Sequence, residues 1–155
     1  MKINFTPRGI LQIDDARIVY RNFKGVASKF NREGDRNFAV VIPNRDIAEQ
    51  LIDAGWNVRI KPPRNEEDSE FMFLPVKIKF KNHEPNTYLL TGNDLNRLDE
   101  ETVGCLDDVD IDSVDMDIRG YNWDVNGKTG RTAYLQSMRV TQRVDRFASR
   151  YGIED

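Results

Sequence analysis

The sequence predicts a mainly β protein, a small antiparallel barrel of about five to six strands with one short α-helix inserted at about residues 45–54. Several segments alternate between apolar and polar residues with a period of two, which is typical of strands buried on one face. A single segment has helical periodicity, and Asn126-Gly127, between the last two predicted strands, is a strong hairpin signal. Strands at irregular spacing with one helix favour a small barrel over a sheet of βαβ units.

The first strand is predicted at 10–20, where the apolar residues change phase near Asp14 and Asp15. A β-bulge would produce that change, because it adds one residue to a strand and bends it. A polar, glycine-containing loop is predicted at 23–37, and a short apolar strand at 37–42.

The predicted helix has signals at both ends. Asp46 and Glu49 have the spacing of a capping box, in which side chains bond to the backbone of the first turn. Ile47 and Leu51 fall on one face, and Gly55 is a natural residue for the C-terminal stop. These signals set the helix at about residues 45–54.

The rest of the chain is predicted to be mostly strands. Alternation or short apolar runs occur at 57–61, 71–82, 88–91, 114–125 and 132–144. Residues 94–103 are polar, and we expect a loop or a short helix there. In the tail at 145–155, two aromatic residues at helical spacing indicate a terminal helical turn.

Length and composition limit the possible classes of protein. With 155 residues, 39% hydrophobic and 32% charged, the chain is expected to form one domain over 1–155 that ends in the short tail. No apolar run approaches the roughly 20 residues that span a bilayer and no secretory leader is recognisable, so we expect a cytoplasmic protein without a membrane partner. Cys105 and His83 are the only cysteine and histidine, which excludes an internal disulfide and a zinc site of these residue types alone.

The strand at 71–82 combines aromatic and basic side chains on one face. If its alternate apolar residues fill the core, the opposite face presents Phe71, Phe73, Lys77, Lys79 and Lys81. Rings stack on unpaired bases and cations follow phosphates, so this face is typical of single-strand binding. The alternative is that the lysines only solvate the outer face and that the phenylalanines pack under a loop.

The penultimate predicted strand and its hairpin repeat this combination. Arg119, Tyr121 and Trp123 alternate onto one face, and the hairpin adds Lys128 and Arg131. We predict that the rings of this set stack on bases and that its cations hold phosphates. The alternative is a cross-strand aromatic cluster that closes the end of the barrel.

The loop at 23–37 carries a third set. Its members are Lys24, Lys29, Phe30, Arg32 and Arg36. A basic loop with aromatic residues suits a flap over a bound strand, and the alternative is a mobile surface loop with its rings tucked in. Together the three sets favour nucleic-acid binding despite the net charge of -3, because binding depends on the local field of a groove.

An acidic segment at 106–117 raises the question of a metal site. Three of its aspartates have the spacing that begins a calcium-binding loop, but Ser113 stands where that loop needs glycine and Arg119 where it needs glutamate. We therefore expect a solvated acidic face, no bound metal and no cofactor. No catalytic set of side chains is recognisable, so the prediction is a binding protein; a metal-dependent enzyme is the alternative.

Five short motifs carry a resemblance to a known family. They are Ile42-Pro43-Asn44 before the helix, the Phe- and Lys-rich strand Phe71–Lys81, Tyr121-Asn122-Trp123, Gly127-Lys128-Thr129-Gly130, and Ala133-Tyr134-Leu135-Gln136-Ser137-Met138. Over roughly residues 10–142, the chain resembles the phage-encoded single-stranded DNA-binding proteins of the OB fold.

The resemblance implies an OB-type barrel that binds single-stranded DNA across its face, without sequence specificity, and protects or organises it in phage replication or recombination. It also implies replication or recombination proteins as partners, a homodimer in some members, and the cytoplasm of a bacterial host. Members commonly carry a long acidic C-terminal tail, and this chain departs from them with only two acidic residues at its end. The alternative function is a protein-interaction module of the same fold that captures a host protein.

Overall fold

The computed structural model describes residues 1–144, which form ten β-strands, one α-helix and one 3₁₀ helix. The elements are β1 (Lys2–Phe5), β2 (Ile10–Ala16), β3 (Ile18–Asn22), β4 (Arg36–Ile42), α1 (Arg45–Asp53), β5 (Arg59–Lys61), β6 (Phe71–Ile78), β7 (Asn86–Thr91), β8 (Asp94–Leu98), the 3₁₀ helix (Val103–Asp107), β9 (Ile111–Val125) and β10 (Lys128–Gln142). The predicted tail at 145–155, with its helical turn, lies outside the described residues. Neither described helix has the length and apolar composition needed to cross a membrane.

The strands form one sheet with the order β1-β2-β9-β10-β6-β4-β3, from which β5, β7 and β8 branch. The branches arise at β6 and β10, each of which pairs with two strands along the same edge. One edge of β6 pairs with β5 and then with β10, and one edge of β10 pairs with β6 and then with β7. Both pairings of β10 on this edge are parallel. Within residues 1–144 the mainly β class and the single α-helix are confirmed. The predicted five-to-six-stranded barrel is wrong in strand number, because the described part of the chain forms a sheet of ten strands with β1 and β3 at the ends of its order.

The predicted bulge near Asp15 is present and divides the first predicted strand in two. The register between β2 and β9 shifts between Ile13 and Ala16, and Asp15 has a φ of 53°. Beyond Arg17 the chain continues as β3, which pairs with β4 instead of β9. The bulge therefore lets one sequence segment serve two distant places in the strand order.

Helix α1 spans Arg45–Asp53, close to its predicted bounds, but its N-terminal cap differs from the prediction. The cap is Asn44, whose side chain accepts a hydrogen bond from the Ile47 N–H at 2.9 Å. The capping box of Asp46 and Glu49 is therefore wrong, because Asn44, two residues before Asp46, already fills the cap. Gly55, with a φ of 95°, ends the helix as expected.

Strand β8 corrects the prediction of a loop or short helix at 94–103. It pairs antiparallel with β7 across the two-residue turn Gly92-Asn93, in which Gly92 has a φ of 61°. Leu98 is its only buried residue, so β8 shows no apolar alternation that the sequence could reveal. The 3₁₀ helix lies further along the chain, at Val103–Asp107.

The alternating apolar residues of the long strands form the hydrophobic core. On β6 the buried row is Met72, Leu74, Val76 and Ile78, and on β9 it is Val114, Met116 and Ile118. Both rows match the predicted alternation. Phe23 is fully buried and stacks on Phe38, with ring centroids 5.4 Å apart. Although Phe23 begins the predicted loop, it belongs to the core.

The β9–β10 hairpin is the longest element and extends past the core. Asn126 and Gly127 have φ values of 51° and 79°, which is the type I′ turn that their sequence predicts. All residues from 120 to 129 are exposed. The end of the hairpin is thus an arm of two strands, held mainly by their own ladder of hydrogen bonds.

Candidate nucleic-acid interface

The outer face of β6 carries Phe71, Phe73 and Lys77, whereas Lys79 and Lys81 follow the strand, which ends at Ile78 and not at the predicted residue 82. Lys77, Lys79 and Lys81 are exposed and Phe71 is half-buried, whereas Phe73 is only 7% exposed. The expectation that both phenylalanines present free rings therefore fits Phe71 in part and does not fit Phe73.

Tyr20, which the sequence reasoning missed, covers the two phenylalanines. Its ring meets Phe71 and Phe73 edge to face, with centroids 6.2 Å and 5.6 Å apart. The residue is 55% exposed, so it forms the outer layer of this aromatic cluster. Tyr20 ends the predicted strand at 10–20, and a register shift between Val19 and Asn22 places its ring on the outer face.

Strand β5 adds two further cations that the prediction did not include. Arg59 lies opposite Phe73 in the register and Lys61 opposite Phe71. The Lys61 Nζ lies 5.2 Å from the centroid of the Tyr20 ring and 3.2 Å from its hydroxyl oxygen. Both residues are exposed. Their period-two spacing around Ile60 was the available signal, since it sets them on one face.

These residues line two grooves that meet at Tyr20. The first, here called the β6 groove, has a volume of about 360 Å³; its walls include Tyr20, Phe30, Arg59, Phe73, Pro75, Lys77 and Lys79. The second, here called the proline groove, has a volume of about 510 Å³ and includes Tyr20, Lys61, Pro62, Pro63, Arg64 and Phe71, with Asp68 and Glu70 at its acidic wall. Rings and cations thus alternate along a continuous surface.

The loop at 23–37 contributes unequally to this surface. Phe30 is 92% exposed at the rim of the β6 groove, with the Lys29 ammonium 5.8 Å from its ring centroid. Lys29 and Arg32 are exposed. All three residues are thus accessible to a ligand, and their role in a flap stays a prediction.

Lys24 and Arg36 do not match the flap, because each is engaged elsewhere. Lys24 pairs with Asp108 at 2.6 Å, and this hydrogen bond raises the pKa of the Lys24 ammonium. The Arg36 guanidinium donates to the carbonyls of Phe23 at 2.9 Å and Glu100 at 3.2 Å. Both cations therefore tie the loop to the body of the protein, and Arg36 does so from the wall of the β6 groove.

A cross-strand row joins the β6 groove to the hairpin. In the register, Lys77 of β6 lies opposite Tyr134 of β10, which lies opposite Arg119 of β9. Directly opposed residues share a face of the sheet, and the Arg119 guanidinium sits 4.8 Å from the Tyr134 ring centroid. Tyr134 is a further aromatic residue that the site prediction missed.

The hairpin arm continues this face with two accessible rings. Tyr121 is 59% exposed and Trp123 38% exposed, and both alternate onto the face of Arg119. One side of the Trp123 indole covers Gly130, where an added Cβ would lie 2.3 Å from the ring. Glycine at this position lets the indole lie flat, so its other side is available. Lys128 is exposed beside the turn.

Arg131 has a structural role in place of the predicted phosphate contact. Its guanidinium donates to the carbonyl of Ala54 at 2.7 Å and to the side chain of Asn122 at 2.8 Å. It also lies 5.1 Å from the ring centroid of the buried Trp56. Arg131 therefore fastens the base of the hairpin to the C-terminal end of α1.

Replacing Arg131 with alanine is expected to lower the free energy of unfolding by about 2 kcal/mol, because loss of the charged donor leaves the Ala54 carbonyl without its hydrogen-bond partner. Urea denaturation followed by circular dichroism measures the change. Lys128→Ala is the matched control, since this exposed lysine at the hairpin tip should change stability by less than about 0.5 kcal/mol. Equal stability of the two variants would contradict the role assigned to Arg131.

The acidic segment at 106–117 is largely used in internal contacts. Asp107 accepts hydrogen bonds from the backbone N–H groups of Phe23 at 2.7 Å and Lys24 at 3.0 Å. Asp115 pairs with Arg139 at 2.8 Å. Within residues 1–144, no three histidine, cysteine or carboxylate side chains cluster as metal ligands would. These aspartates hold loops and strands together, and Asp115 lies on the same face of β9 as Arg119.

Comparison with known proteins places this geometry in context. The model of a family described as "Putative phage ssDNA-binding domain" matches residues 2–153. A search of curated proteins gives no match.

Solved structures share the fold at low sequence identity. The single-stranded DNA-binding protein from bacteriophage Enc34 in complex with ssDNA superposes with a TM-score of 0.57 at 10% identity, covering 92% of each chain. The C-terminally truncated form of that protein gives a TM-score of 0.57 at 11% identity, covering 91% of this chain and 90% of the other. A structure described only as the single-stranded DNA-binding protein from bacteriophage Enc34 gives a TM-score of 0.56 at 10% identity, covering 92% of this chain and 86% of the other.

Proposed function

The chain belongs to the family of phage ssDNA-binding domains, and on that premise we propose that it binds single-stranded DNA without sequence specificity. In this proposal it is not an enzyme. It protects or organises DNA during phage replication or recombination in the host cytoplasm, alongside proteins of those processes.

One observation carries the proposal: accessible rings and cations lie along one connected face, and these cations have no carboxylate partner within residues 1–144. The rings are those of Tyr20, Phe30, Tyr121 and Trp123, and the cations include Arg59, Lys61 and Lys77. Aromatic faces stack on bases only where the bases are unpaired, and every base offers a π-face, so such a surface favours single strands of any sequence. Cations beside the rings can neutralise the phosphates of a strand whose bases stack there.

The net charge of -3 does not argue against DNA binding, because the charges are unevenly distributed over the protein. Several acidic residues are occupied by contacts away from the grooves, as in the pairs Lys24–Asp108 and Arg139–Asp115. On the β6 groove, the described wall carries Arg59, Lys77 and Lys79 against the single carboxylate of Asp35, which lies 3.9 Å from Lys79. The local field of this groove is therefore positive.

The test is a titration of intrinsic tryptophan fluorescence with oligo-dT. Trp56 is 5% exposed and Trp123 38% exposed, so a stacked base should quench Trp123 and leave Trp56 as a constant background. We expect saturable quenching in the wild type and nearly none in Trp123→Phe, which keeps a ring at that position. No quenching of the wild type at low salt, together with no shift of labelled oligo-dT in a gel, would count against the proposal.

A further inference from the structure

Tyr20 occupies a backbone conformation that bulky residues rarely adopt. Its φ is 54°, in the left-handed region that favours glycine. The register between β3 and β4 shifts between Val19 and Asn22, which marks a bulge at this point. Backbone strain of this kind persists where the surrounding structure maintains it, and it concentrates at binding sites.

The bulge changes the side of the sheet on which Tyr20 lies. Ile18 is opposed to Val40, which is fully buried, and in regular alternation Tyr20 would follow Ile18 toward the core. Instead the ring lies on the outer face, against Phe71 and Phe73. A bulge that re-aims one side chain in this way is a recognised device of β-sheets beside functional sites.

The Tyr20 ring is packed against neighbouring side chains on the protein side and is accessible on the solvent side. Phe73, almost fully buried, meets it edge to face, and the Lys61 ammonium lies 3.2 Å from its hydroxyl oxygen. Tyr20 is nevertheless 55% exposed, and it lines both the β6 groove and the proline groove. A packed residue with a purely structural role would not need a strained backbone to stay exposed.

We infer that Tyr20 is a base-stacking platform over which the DNA strand passes from the β6 groove into the proline groove. Phe73 acts through Tyr20 as a positioning residue and does not itself touch a base. This inference rests on the proposed function and extends it, because it names a residue and a path that the sequence did not indicate.

Two substitutions separate stacking from structure. Tyr20→Gly removes the ring and suits the positive φ, so oligo-dT affinity is expected to fall about fivefold or more while the melting temperature does not drop by more than a few degrees. Tyr20→Phe keeps the ring, and its affinity should stay within about twofold of the wild type. Affinity is measured by fluorescence anisotropy and stability by thermal denaturation. A Tyr20→Gly variant that binds as the wild type does would overturn the inference, as would a Tyr20→Phe variant that loses as much affinity as Tyr20→Gly.

A second measurement uses the unmodified protein and does not depend on folding of a variant. Photocrosslinking to an oligo-dT that contains 5-iododeoxyuridine should label Tyr20, within the tryptic peptide at 18–21. Crosslinks that form only at other aromatic residues would overturn the inference while leaving the proposed function intact. If the wild-type protein neither binds nor crosslinks single-stranded DNA, the proposed function itself fails.

Discussion

Replacing Arg59, Lys77 and Lys79 together with alanine is expected to weaken oligo-dT binding roughly 100-fold at about 0.1 M salt. All three line the β6 groove, and Arg59 and Lys77 have no carboxylate partner among the described residues. Each phosphate contact on a single strand contributes about 0.7 to the slope of log affinity against log salt concentration. The triple variant should therefore also lose about 2 from that slope, which anisotropy titrations at several salt concentrations measure.

The matched control removes three cations elsewhere. Lys2 lies on β1 at the far end of the strand order, and Lys24 and Arg139 are already paired with aspartates. Their replacement with alanine changes the net charge by the same amount, but we expect the slope to change little. Equal losses in both triple variants would mean that net charge, and not the β6 groove, governs binding.

Replacing Phe23 with alanine is expected to lower the free energy of unfolding by about 3–5 kcal/mol. The side chain is fully buried and stacks on Phe38, and its removal leaves a cavity that the surrounding strands cannot fill. Urea denaturation measures the loss. Below its unfolding transition the variant should still bind oligo-dT, because no atom of Phe23 reaches the grooves.

Phe30→Ala provides the contrast within the same loop. This ring is 92% exposed, so its removal should leave stability within about 0.5 kcal/mol of the wild type and should weaken DNA binding instead. If Phe23→Ala proved as stable as Phe30→Ala, the assignment of Phe23 to the core would be wrong.

The sequence predicted well those features that depend on local periodicity. The buried rows of β6 and β9 follow from a period of two, and the turn at Asn126-Gly127 follows from the demand for two positive φ values. Helix α1 was found because its apolar spacing and Gly55 are local signals. The polar strand β8 was missed since an exposed edge strand has no apolar period to detect.

The roles of single cations could not be predicted, because they depend on partners distant in sequence. Arg131 and Lys128 look alike in the hairpin, yet only Arg131 reaches the carbonyl of Ala54. Lys24 looks like a groove cation until the fold brings Asp108 to 2.6 Å from it.

Tyr20 was missed for a related reason. A one-residue bulge inverts the side of the sheet on which a side chain lies, and no pattern in the sequence marks the bulge between Val19 and Asn22. Lys61, which contacts the Tyr20 ring, was missed with it. The site therefore combines residues found by periodicity with residues that only a bulge and strand pairing bring together.

The central claim is that one face of cations and rings binds single strands, and a salt titration of the wild-type protein tests it most directly. Anisotropy of labelled oligo-dT and of a duplex of equal length is followed over a range of salt concentrations. Apart from Arg36, which donates to backbone carbonyls, five cations line the two grooves: Arg59, Lys61, Arg64, Lys77 and Lys79. Log affinity for oligo-dT should therefore fall linearly against log salt concentration with a slope of about -3.5, and the duplex should bind more weakly throughout. Affinity that is independent of salt, or a preference for the duplex, would contradict the claim.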